Sequence, residues 1–120
     1  MDSRGAELIG EFEDVGAVAD IPADGVLAVT TSRGEEICLL ACRGQVTAVE
    51  DRCPHADFPL SDGQLLPNGV LECVWHGAQF DCATGAVIRG AAETPAPRYE
   101  VRVRDGRVLV GPRLDPPSES

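Results

Sequence analysis

The chain has 120 residues, enough for one domain around one core. It carries 20 Asp and Glu against 10 basic residues, all arginine, for a formal net charge of −10. That balance excludes nucleic acid as a partner, because phosphates would be repelled and no basic patch exists to release counterions.

Taken in chain order, residues 1–6 read as a frayed end. A single helical turn is expected near Val15 to Ile21, stopped by Pro22. Three runs rich in Val, Ile and Thr then read as strands: GVLAVTTS (25–32), EICLLAC (36–42) and QVTAVED (45–51). Arg33-Gly34 and Arg43-Gly44 lie between them as tight antiparallel connections. Residues 52–69 and 74–79 look like loops, and GAAETPAPR (90–98) like a third. In YEVRVRDGRVLVG (99–111), Tyr99, Val101 and Val103 alternate with Glu100, Arg102 and Arg104, and Asp105-Gly106 makes a hairpin turn. The tail LDPPSES, from 114, reads as frayed. Short strands with turns between them predict an all-β sandwich or small barrel in one domain, residues 7–112.

No run approaches the roughly 18 to 20 apolar residues of a membrane span. The acidic start MDSRGAELIGEFEDVG has neither the basic nor the apolar region of an export signal. A cytoplasmic protein is expected, in a compartment that keeps thiols reduced. Five cysteines there point to metal ligation before disulfides.

The chemistry concentrates in two loops. DRCPHADFPLSDG (51–63) contains Cys53-x-His55, and LECVWHGAQFDCATG (71–85) contains Cys73-x-x-His76, with seventeen residues (56–72) between the two pairs. These are the only two histidines, and each stands beside a cysteine. Ordinary turn residues would not repeat that pairing in two separate loops. Structural zinc is the nearer rival, but its sites usually pair cysteine with cysteine and histidine with histidine. One of each per loop suits a two-iron cluster whose first iron takes two thiolates and whose second takes two imidazoles.

These residues resemble the Rieske-type [2Fe-2S] proteins, whose loops read C-x-H and C-x-x-H with a spacing close to this one and with a glycine after the second histidine, here Gly77. The resemblance spans roughly residues 10–111. It implies an antiparallel β fold with a small cluster-binding subdomain at about 51–97. Cys53 and Cys73 would hold one iron and His55 and His76 the other, under a third loop bearing Pro95 and Pro97. Trp75, between two ligands, would shield the cluster from water.

Respiratory members of that family carry an extra cysteine in each cluster loop, joined in a disulfide. Phe58 and Trp75 occupy the matching positions, so that bridge cannot form. They also place two hydroxyls near the cluster, where this chain has Ala78 and Phe80. Without those donors the reduced cluster is less stabilised. Residues 50–81 also hold six acids (Glu50, Asp51, Asp57, Asp62, Glu72, Asp81) against one base, Arg52. Both features predict a potential near the low end of the Rieske range, on the order of −150 mV. The other cysteines, Cys38, Cys42 and Cys82, read as core thiols. Cys38 and Cys42 share a strand face about 13 Å apart, beyond disulfide reach.

The histidine count bears on activity. Terminal oxygenases of the Rieske class also need a mononuclear iron held by two histidines and a carboxylate. Both histidines here are committed to the cluster, so the chain is expected to have no catalytic site. The resemblance implies a soluble, monomeric ferredoxin. It would pass electrons from an NAD(P)H-dependent flavoprotein reductase to the terminal oxygenase of an aromatic-ring dioxygenase, by transient docking. A small Rieske subunit of a nitrite-reductase-like complex, a redox sensor and an iron–sulfur accessory protein are the alternatives.

Overall fold

The computed structural model describes residues 12–23, 25–52, 59–73, 77–89 and 96–114. Among the described residues ten strands run in the order β1 (Glu13–Ala17), β2 (Val26–Thr30), β3 (Glu36–Cys42), β4 (Gln45–Glu50), β5 (Gln64–Leu65), β6 (Val70–Glu72), β7 (Gln79–Asp81), β8 (Val87–Arg89), β9 (Arg98–Arg104) and β10 (Arg107–Leu114). They form a six-stranded sheet, β1-β10-β9-β4-β3-β2, and a four-stranded sheet, β5-β6-β7-β8. Every recorded pairing is antiparallel. The all-β expectation therefore holds. The small sheet is an insertion: β4 and β9 are neighbours, pairing Ala48 with Tyr99 and Val49 with Arg98, and everything from 51 to 97 leaves and returns there.

Turn chemistry sets two of the three hairpins the sequence marked, whereas the expected tight turn at Arg33-Gly34 is a five-residue connection, residues 31–35. Arg43 and Gly44 have φ of 50° and 84°, and Asp105 and Gly106 have 53° and 77°. Both central residues of such two-residue turns sit at positive φ, which matches the right-handed twist of the strands they join. The single helical turn expected near Val15 to Ile21 is present as a 3-10 turn at Val18–Asp20, shortened because the residues up to Ala17 pair with β10 as strand β1. β10 reaches Leu114, so the frayed tail cannot begin at 114. Pro112 is tolerated inside β10 because the β9–β10 register slips between Val110 and Arg113.

β3 shows why EICLLAC lacks alternation. It is buried on both faces. Ile37 and Leu39 enter a core with Ile21, Ala48, Tyr99, Val108 and Val110, onto which side chains from all six strands of the large sheet converge. That sheet therefore curls around its own interior. Cys38, Leu40 and Cys42 point the other way, into a second core with Val49, Leu60, Leu71, Cys73, Phe80 and Ala96. This second core glues the small sheet to the large one. Cys38 and Cys42 do share a face, as expected. The tip of β9 departs from its pattern: Val103 is 52% exposed.

One expectation is corrected. Cys42 and Cys82 are buried, but they are not thiols: they form a disulfide with Cα atoms 5.7 Å apart. Strand geometry relates Cys42 only to Cys38 on its own face, whereas its partner lies 40 residues away on the other sheet's β7–β8 turn. Around this bridge Thr47 Oγ1 donates to the Cys82 carbonyl at 2.7 Å, and Arg43 pairs with Asp81 at 2.8 Å. The guanidinium lies over Gly69, where a β-carbon would collide with it.

Among the described residues, no helix is long and apolar enough to cross a membrane.

Replacing Cys42 and Cys82 with serine should lower unfolding free energy by up to about 4 kcal/mol, the chain entropy of a loop this long, read from the urea midpoint. The Arg43–Asp81 pair adds a pH dependence. Burial raises the Asp81 carboxyl, but the Arg43 guanidinium and the Thr84 and Ala83 amides outweigh it and hold it below its ordinary value. Its stabilising contribution is complete above about pH 5 and lost as pH falls through the lowered native pKa. Urea midpoints from pH 7 down to pH 3 should therefore fall less steeply for Asp81→Asn than for the parent.

Candidate metal centre

Three connections meet at the small sheet. The first leaves β4 at Asp51 and returns through Pro59 into the 3-10 turn Leu60–Asp62. Leu60 is fully buried and anchors the return, while Gly63 N–H donates to the Leu60 carbonyl at 2.9 Å. The second joins β6 to β7. Cys73 N–H donates to the Ala78 carbonyl at 2.8 Å across its base, and Gly77 turns the chain at φ 67°. The third returns from β8 to β9. Its end is tied down where Ala96 N–H donates to Gly85 O at 2.8 Å and Glu50 N–H to Pro97 O at 2.7 Å.

Cys53, His55 and His76 lie outside the described residues, as do Phe58, Trp75 and Pro95. Cys73 is described. It is 1% exposed, not part of a disulfide, and packed in the core shared by the two sheets. Asp62 and Gly63 from the first loop face Glu72, Cys73 and Gly77 from the second across a cleft of about 410 Å³ that Gln64 also lines. The described parts of the two Cys/His loops thus converge. A soft thiolate donor in an apolar wall beside such a cleft suits an iron–sulfur group. Ala78 and Phe80, both fully buried, pack in the same core as Cys73 and offer no hydroxyl.

Charge near the cleft differs from the count along the sequence. Gln64 and Gln79 each donate a side-chain N–H to one oxygen of Glu72, at 3.0 Å, and with the Arg89 charge they hold its carboxyl below its ordinary value. Arg43 pairs with Asp81, and Arg52 and Arg113 both reach Glu50, at 3.5 Å. Three of these four arginines lie outside residues 50–81, so a window along the chain overstates the local negative charge. The case for a low potential then rests chiefly on Ala78 and Phe80. Cys38 is no ligand candidate. Burial, and then the Asp51 charge, push its thiol far above the ordinary range.

Asp51 differs from the other described acids of residues 50–81 in its surroundings. Its carboxylate is buried, and it accepts from Ser61 N–H and from Ser61 Oγ, both at 2.7 Å. Nothing in the sequence marks that pairing, because Asp and Ser are unremarkable in a turn-rich loop.

A profile of the Rieske [2Fe-2S] domain matches residues 11–100. The 3-phenylpropionate/cinnamic acid dioxygenase ferredoxin subunit of Escherichia coli (strain K12) is 33% identical over 93 residues, covering 78% of this chain and 86% of that protein. Among solved structures, a chain from the complex of reduced oxygenase and oxidized ferredoxin in carbazole 1,9a-dioxygenase superposes with a TM-score of 0.79 at 28% identity. The match covers 88% of this chain and 98% of that one. The ferredoxin of carbazole 1,9a-dioxygenase from Nocardioides aromaticivorans IC177 gives 0.78 at 25%, over 84% and 97%.

The third connection supplies a test of how the site is held. Gly85 sits at φ 78°, and a β-carbon there would meet the Ala96 carbonyl. Gly85→Ala should cost roughly 2 kcal/mol or more, since neither backbone segment can give way. Thermal unfolding measures it, with Gly106→Ala, at a turn with open space around it, as the milder control.

Proposed function

The chain belongs to the Rieske [2Fe-2S] domain family, and from that premise we propose that it is a one-electron carrier serving the terminal oxygenase of an aromatic-ring dioxygenase system. Its cofactor is a Rieske [2Fe-2S] cluster, which supplies reversible one-electron chemistry when bound. Cys53 and Cys73 would hold one iron and His55 and His76 the other. The convergence of the two loops at one cleft carries this reading, because ligands so far apart in sequence serve one cluster only if their loops meet. The ferredoxin subunit names of its relatives support the carrier role.

The chain's own part is to bind, orient and insulate. Buried Cys73, Ala78 and Phe80 pack together in the core beside the cleft, and backbone hydrogen bonds close the bases of the loops. With both histidines committed to the cluster, no residues remain for a mononuclear iron, so turnover of substrate belongs to the partner. The electron donor is an NAD(P)H-dependent flavoprotein reductase. Docking to both partners is transient, as small electron-transfer contacts are. A net charge of −10 steers the carrier toward basic surfaces on them. Residues 7–112 form one Rieske domain, working as a monomer in the cytoplasm. A disulfide there is compatible with reducing surroundings because Cys42 and Cys82 are 3% and 0% exposed, out of reach of a soluble thiol.

Purified protein should contain iron and acid-labile sulfide, and substrate turnover by a defined flavoprotein reductase and Rieske terminal oxygenase should depend on adding it. His55→Cys should shift the spectrum toward that of an all-cysteine cluster or abolish it. A redox titration should give a midpoint on the order of −150 mV. Colourless protein containing zinc alone, or a strongly positive midpoint, would count against the ligand set or the potential respectively.

A further inference from the structure

The two ligand loops are closed in different ways. The second spans adjacent strands of one sheet, so the β6–β7 ladder, with Glu72 opposite Gln79, holds its ends together. The first has no such support. It leaves β4 of the large sheet and enters β5 of the small one, and no ladder joins those strands. Beside the apolar anchor Leu60, Asp51 brings its two ends together. Backbone bonding fixes this residue to the large sheet, its N–H donating to Glu36 O on β3 at 2.9 Å. Each of its carboxylate oxygens then accepts one 2.7 Å bond from Ser61, ten residues on, at the start of the small sheet.

An ionised group 8% exposed is costly unless fully hydrogen-bonded, and an apolar contact could close a loop at less cost. Here the carboxylate serves two ends at once. It clamps the loop, and it sets a fixed negative charge two residues before Cys53. We propose that Asp51 is a positioning residue for the cluster, acting through Ser61 to hold the Cys53/His55 loop in register and contributing a buried charge that lowers the reduction potential. This rests on the ligand assignment proposed above.

Four variants separate the two roles. Asp51→Asn can keep both contacts, its oxygen accepting from Ser61 N–H and its amide donating to Ser61 Oγ. It should retain the cluster and shift the midpoint upward. Ser61→Ala removes one donor and leaves the charge less compensated. It should shift the midpoint downward and speed iron loss to a chelator, and Ser61→Thr should restore both. Asp51→Ala loses the clamp, so iron loss should quicken on the order of tenfold or more, with altered g-values in the reduced-state EPR spectrum. The proposal is overturned if Asp51→Asn and Ser61→Ala move the midpoint in the same direction or not at all. It also fails if the variants lower only the unfolding midpoint, with g-values and iron retention unchanged. Should Asp51→Ala fail to fold, the other three decide. A parent protein without iron and sulfide would instead fault the ligand assignment.

Discussion

The pairing of β4 with β9 is the constraint from which the rest of this molecule follows. Because Val49 lies opposite Arg98, residues 51 and 97 must start and finish at one place on the large sheet. The Glu50 N–H to Pro97 O bond continues that closure one step beyond the ladder. Everything inserted between them is a loop closed at fixed ends, whose entropy is already restricted by the larger sheet. A four-stranded sheet and two loops rich in metal-ligand residues can therefore be held on a short chain with few helical turns.

A closed insertion could still rock on its base. Three contacts oppose this at one corner: the Cys42–Cys82 bridge, the Arg43–Asp81 pair and the Thr47 bond to the Cys82 carbonyl. Beneath them the second core, built from β3 and β4 on one side and the small sheet on the other, excludes water. The partly exposed ion pair contributes little, at most about 1 kcal/mol, beside the apolar burial and the covalent link. Rigidity matters for an electron carrier. A centre whose surroundings stay put spends little energy on rearrangement when its charge changes.

Much was legible in the residues. Tight turns at Arg43-Gly44 and Asp105-Gly106 and the strands at 36–42 and 45–50 could be read directly, because two-residue hairpins and β-branched runs are local signals. The strands of the small sheet were not. β5 through β8 are two or three residues long, and their order depends on ladders rather than on periodicity. β1 was not legible either, since its only local signal belonged to the helical turn that follows it at Val18–Asp20. All three extra cysteines lie in the core as expected, and Cys38 is the thiol its residue type suggests, but Cys42 and Cys82 are bonded to each other.

Sequence alone determined the chemistry available: two Cys/His pairs, no third histidine, no hydroxyl at positions 78 and 80. Those are matters of residue type and spacing, which no folding can alter. The tertiary structure alone decided which distant groups meet: Cys42 with Cys82, Asp51 with Ser61, and Arg43 and Arg113 with acids of the cluster segment. Such pairings depend on which strands become neighbours, and antiparallel ladders bring together residues tens of positions apart that carry no local mark of each other.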